Sequence, residues 1–100
     1  MNINVQSVNF EADQKLLDYI DKKVNRIDIL ADRIVSIDIF LKLEEKHSHI
    51  KDKTVEIKVA LPGHKLFASD TNKVFKDAVD HTVGSIKKQL RKQKAKWAVK

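Results

Sequence analysis

The sequence contains no cysteine, which removes disulfide bridges, thiolate nucleophiles and thiolate metal ligands together and fits a reducing, cytoplasmic setting. Glycine occurs twice and proline once, too little to build a phosphate-cradling loop. The serines (Ser7, Ser36, Ser48, Ser69 and Ser85) stand in no Gly-x-Ser-x-Gly turn. No apolar run exceeds three residues, so no membrane-crossing helix is expected. The opening MNINVQSVNF has neither the basic start nor the apolar stretch of a signal peptide. Acid is missing from one whole region: none follows Asp80.

What is present suits one folded domain of 100 residues, with 42% hydrophobic and 34% charged residues. The net charge of +6 is unevenly placed. Residues 1–70 carry eleven Lys or Arg against twelve Asp or Glu, whereas residues 71–100 carry nine against two. A cationic segment of this kind suits a polyanionic partner, because neutralising phosphates releases counterions. The alternative is a solvated, solubilising helix face.

Period-two alternation predicts a strand over Asn2–Val8. Asp13 can cap a helix running to about Leu30, with Leu16, Ile20, Val24 and Ile27 in one stripe. A second strand spans Arg33 to Leu43, with Val35, Ile37, Ile39, Leu41 and Leu43 sharing a face. The polar stretch Glu44 to Lys53 is expected to be a loop or hairpin tip. Val55, Ile57, Val59 and Leu61 mark the inward side of a third strand, Thr54 to Leu61. Pro62-Gly63 is a turn into a short antiparallel fourth strand, about Lys65 to Ser69. Asp70 is a candidate cap for a long helix from about Thr71, whose Phe75, Val79, Val83, Ile86 and Leu90 repeat at helical spacing. Trp97 continues that line if the helix lasts, with fraying expected beyond Lys94. Gly84 interrupts the helix at a propensity cost of about 1 kcal/mol. The order β-α-β-β-β-α implies an α+β two-layer sandwich: a four-stranded sheet with both helices on one face, the first two strands parallel if adjacent.

Little here supports catalysis. His47 and His49 share a face of an extended segment, but a closed zinc site needs four ligands, and a solvated loop is the plainer reading. Glu44 and Glu45 lie in polar surroundings where nothing desolvates them. No active site, cofactor or metal is expected, and the chain does not read as an enzyme.

The basic helix is the main feature. Lys87, Arg91 and Lys94 form one ridge, and Lys88 and Lys92 a second about a third of a turn away, both off the apolar line. With Lys96 they make six cations and no acid between positions 87 and 96. The helix dipole favours cations only in the last turn and leaves most of these unexplained; a facing polyanion explains them all. On the first helix Lys22, Lys23 and Arg26 sit among Asp18, Asp21 and Asp28, so surface ion pairing and RNA contact are both open. Trp97 and Phe67 could stack on bases, although packing is the favoured reading for Trp97. Phe40 lies on the otherwise polar sheet face, as packing residue or contact site.

Several segments, in order, resemble one family: Lys23-Val-Asn-Arg26-Ile, Ala31-Asp32-Arg33-Ile34, Ala68-Ser69, Ala78-Val79-Asp80 and Gln89-Leu90-Arg91-Lys92-Gln93-Lys94-Ala95-Lys96. The chain resembles the short ribosome hibernation promoting factors, of the ribosome-associated translation inhibitor and sigma-54 modulation protein family. The last segment, matching Gln-Leu-x-Lys-x-Lys-x-Lys, is the most specific. The resemblance implies a fold akin to double-stranded-RNA-binding domains and occupation of the small-subunit decoding channel, excluding messenger and transfer RNA. The family's basic positions map to Lys23 and Arg26 on the first helix and to Lys88, Lys92, Lys94 and Lys96 on the second. Val74-Phe75-Lys76 replaces the family's Asp-hydrophobe-Tyr, and Ser85 stands where a basic residue is common. Residues 1–100 are expected to be a single ribosome-binding domain without the long members' C-terminal dimerisation domain, monomeric on the ribosome. The expected partners are the small subunit and its rRNA, with no membrane or small-molecule substrate. Two other functions remain open: a protein-interaction module regulating a transcription factor, and a free double-stranded-RNA binder.

Overall fold

The computed structural model of the chain describes residues 2–45 and 51–98. Strand β1 (Asn2–Val8) alternates as expected and pairs in parallel with β2 (Ser36–Glu45), Ile3 opposite Ile37 and Val5 opposite Ile39. The connection between them passes through α1 (Gln14–Asn25), because parallel neighbours need a crossover rather than a hairpin. β2 runs antiparallel to β3 (Lys51–Leu61), which runs antiparallel to β4 (His64–Asn72), giving the sheet order β1-β2-β3-β4. Pro62 and Gly63 join the last pair. Gly63 has a φ of +72°, a region a residue without Cβ enters at no steric cost.

One sheet face is apolar: Ile37, Ile39, Leu41, Val55, Ile57 and Val59 are buried. Ile20 and Val24 from α1 close over it, as do Ala78, Val79, Val83, Ile86 and Leu90 from α2 (Phe75–Ala98). Both helices lie on that face and the other is open, so the α+β two-layer sandwich is as expected. Gln89 Nε2 on α2 donates to the Phe67 carbonyl at 2.8 Å, occupying an acceptor on edge strand β4. No helix among the described residues is long and apolar enough to cross a membrane.

Boundaries differ from expectation where long-range pairing decides them. Asp13 does cap α1, its carboxylate accepting from Leu16 N at 2.8 Å. The helix ends at Asn25 rather than Leu30. Asn25 Nδ2 donates to the Asp21 carbonyl at 2.8 Å, and Ile27 is buried from a turn instead of a helical position. Leu30 then takes a φ of +55°, packed against the core, and a short 3₁₀ helix (Ala31–Arg33) leads toward β2. β2 consequently starts at Ser36, leaving Val35 exposed. The β2–β3 ladder extends through Glu44 opposite Asp52 and Glu45 opposite Lys51, so both ends of the expected polar loop, 44–45 and 51–53, belong to strands. The histidines weighed as metal ligands, His47 and His49, lie outside the described residues.

Asp70 is not the cap of α2. It pairs with Val55 inside β4 and its carboxylate meets His81 Nδ1 at 3.1 Å. The Thr54 and Thr71 hydroxyls, 2.8 Å apart, join the next pair, and the ladder continues to Lys53 opposite Asn72. At its other end α2 reaches Ala98, past the expected fraying point. Trp97 packs on the core there, with the Arg33 guanidinium 5.0 Å above its ring and His64 edge-on at 5.7 Å.

Candidate nucleic-acid interface

An α-helix advances about 100° per residue, so the side packed on the sheet fixes what the opposite side displays. In α2 the buried residues are Ala78, Val79, Thr82, Val83, Ile86, Leu90 and Gln93. Thr82 adds no polar cost, since its hydroxyl donates to the Ala78 and Val79 carbonyls at 2.8 and 3.0 Å. Lys88, Arg91 and Lys92 fall on the outward side, with Lys87, Lys94 and Lys96 along its flanks. All six are exposed except Lys87, which is half-buried. Among the described residues none of the six is in an ion pair. Six unpaired cations on one helix repel one another in the free protein and hold bound counterions that a phosphate chain would displace.

The two α1 candidates are placed differently. Tyr19, Lys23 and Arg26 share one side of α1. Tyr19 Oη donates to Asp80 Oδ1 on α2 at 2.6 Å, and Lys23 Nζ lies 3.4 Å from the same oxygen. Lys23 and Lys76 stand 5.5 and 5.3 Å from the Tyr19 ring centre. Lys23 is therefore partly engaged in tying α1 to α2. Arg26, one turn on, is exposed and in no ion pair among the described residues. Asp80 lies two turns before Lys87 and three before Arg91 along α2, so its contact places Lys23 beside the part of α2 between the Lys87 flank and the outward Arg91, and Arg26 follows Lys23 on the same side of α1. All eight predicted residues thus belong to the helix layer, six on α2 and two beside it.

Sequence reasoning missed Tyr19, Asp80 and Lys76. The spacing of Tyr19, Lys23 and Arg26 shows that they share a face, but a partner 61 residues away leaves no local signal. The cluster has a measurable consequence. The hydrogen bond to the Asp80 carboxylate raises the Tyr19 pKa above its ordinary value, with burial and the charges of Asp80 and Asp77 adding in the same direction. A raised phenol pKa means that the link stabilises the fold fully below the unfolded value of about 10 and is lost as pH climbs through the folded value. Tyr19 is the one tyrosine in the sequence, so ultraviolet difference absorbance follows it directly. Its midpoint is expected above the ordinary value, and Asp80→Asn should move it back down. An unmoved midpoint would show that Asp80 is not the cause.

The comparisons with known proteins agree with this architecture. A sequence model of the family described as "Sigma 54 modulation protein / S30EA ribosomal protein" matches residues 3–98. A ribosome hibernation promoting factor from Pseudomonas putida is 26% identical over 96 residues, covering 96% of this chain and 89% of that protein. The ribosome hibernation promotion factor of Bacillus subtilis is also 26% identical over 96 residues, but the match spans 50% of its length. Among solved structures, a ribosomal subunit interface protein from Coxiella burnetii superposes with a TM-score of 0.85 at 26% identity, covering 95% of this chain and 99% of that one.

Proposed function

We propose that this chain, which belongs to the sigma 54 modulation protein / S30EA ribosomal protein family, holds ribosomes inactive by occupying the decoding channel of the small subunit. The observation that carries this reading is the unpaired cationic surface of α2, continued by Arg26 and Lys23 of α1. No bond is made or broken. Lys87, Lys88, Arg91, Lys92, Lys94 and Lys96 neutralise rRNA phosphates, and the released counterions supply much of the affinity. The folded body, held rigid by the sheet beneath, fills space that messenger and transfer RNA would occupy. Family relatives bear the names hibernation promoting factor and subunit interface protein, which support a ribosomal partner. A ribosomal partner in turn implies a cytoplasmic location, and the reading requires no catalytic group.

The test is competition. Small subunits carrying messenger and labelled transfer RNA are titrated with the protein and passed through a filter-binding assay. Transfer RNA retention should fall in step with protein bound. Simultaneous full occupancy by both would defeat steric exclusion, even if the protein binds ribosomes.

A further inference from the structure

The open face of the sheet plays no part in the helix-layer reading, yet it carries two aromatic rings. In the ladder, Asn4, Asp38, Lys58 and Phe67 form one row across all four strands, and Gln6, Phe40, Glu56 and Ser69 form the next. Phe67 is 50% exposed. A cleft of about 500 Å³ opens beside it, lined by Ser36, Asp38, Lys58, Ala60, Lys65 and Phe67 among others. Ser36, Ala60 and Lys65 form the row at its far end, and the two short side chains leave the depth. Lys58 and Lys65 are exposed and in no ion pair among the described residues; Lys58 Nζ sits 5.2 Å from the Phe40 ring. Asp38 Oδ1 accepts from Asn4 Nδ2 at 3.0 Å, which leaves its second oxygen as an acceptor. The Gln89 hydrogen bond to the Phe67 carbonyl holds this part of β4 in place from the helix side.

We infer that this cleft binds an unpaired nucleotide of single-stranded RNA, its base stacked on Phe67 and its flanking phosphates against Lys58 and Lys65. A flat ring suits an exposed aromatic wall, because every base offers a π-face whatever its sequence. The free Asp38 oxygen suits an amino group on the base edge. Unpaired lysines at the rim supply the charge that a phosphate chain requires, and they do so on the layer opposite the basic helix. The protein then meets RNA on both layers: phosphate neutralisation through the helices, base stacking through the sheet. Nothing in this second contact depends on the first.

The experiment separates the two by working in a Lys88→Glu/Lys92→Glu background, so that the basic helix does not mask the sheet. A short fluorescein-labelled oligo(A) RNA is titrated with the full chain and followed by anisotropy. Phe67→Leu, which keeps apolar bulk and loses the π-face, should weaken binding about tenfold, the scale of one lost base–aromatic stack. Phe67→Trp should bind at least as tightly as the parent, and Lys65→Glu should weaken binding and flatten its salt dependence. Melting curves should be unchanged in all three, since neither side chain belongs to the core. Equal affinity for the leucine and phenylalanine forms would overturn the inference. So would sedimentation showing that Phe67→Leu abolishes self-association in the absence of RNA, which would make the face an interface between copies. Failure of the helix-layer reading shows elsewhere, as ribosome binding that survives the Lys88/Lys92 change.

Discussion

Lys88→Glu combined with Lys92→Glu is expected to abolish co-sedimentation with small ribosomal subunits while leaving the fold intact. Both side chains are exposed, both lie on the side of α2 away from the sheet, and neither is in an ion pair among the described residues. Exposed substitutions of this kind change stability by about 0.5 kcal/mol or less, so the melting curve should hardly move. Binding should respond far more. Each lost phosphate contact removes a released counterion, and each glutamate adds repulsion in its place, so a drop of about 100-fold or more at moderate salt is expected. The slope of log affinity against log salt should become shallower in the same variant. Lys23 is a weaker target, because Asp80 already offsets part of its charge. Co-sedimentation that persists in the double variant would remove α2 from the interface.

Leu90→Ala should have the largest effect on stability. Leu90 is fully buried beneath the basic surface, close along α2 to the equally buried Ile86. Truncating such a leucine leaves a cavity and costs about 2–5 kcal/mol, against a total stability of roughly 5–15 kcal/mol for a domain of ordinary size. The expected fall in melting temperature is on the order of 10 to 25 °C, read by thermal circular dichroism. Subunit binding measured well below the new midpoint should survive, since no cation has been touched. That contrast with the charge-reversal variant separates what holds α2 on the sheet from what α2 presents. A shift of only about 2 °C would mean that the helix rests on other contacts.

Much of the fold is legible because its signals are local. The alternation of Val55, Ile57, Val59 and Leu61 assigns an inward face with no knowledge of partners, and all four are buried. Asp13 as cap, Pro62-Gly63 as turn and the Val79–Leu90 stripe are equally local, and each stands in the structure. Asp70 shows where local reading stops. Before a helical stripe an aspartate is a good cap, but the same residue completes a ladder position opposite Val55 and meets His81 instead. The end of α1 is a similar case: Ile27 fits the helical stripe, yet it reaches the core from a turn that the route to β2 imposes.

The sequence by itself determined the element order, the apolar faces of β2, β3 and both helices, and the crowding of cations beyond position 86, because spacing along one chain carries all of these. Only the tertiary structure decided how far each strand runs, that Trp97 secures the end of α2 against Arg33 and His64, and that Asp80 reaches across to Tyr19 and Lys23. These depend on partners tens of residues away, which become neighbours once the sheet has formed and both helices settle on its apolar side.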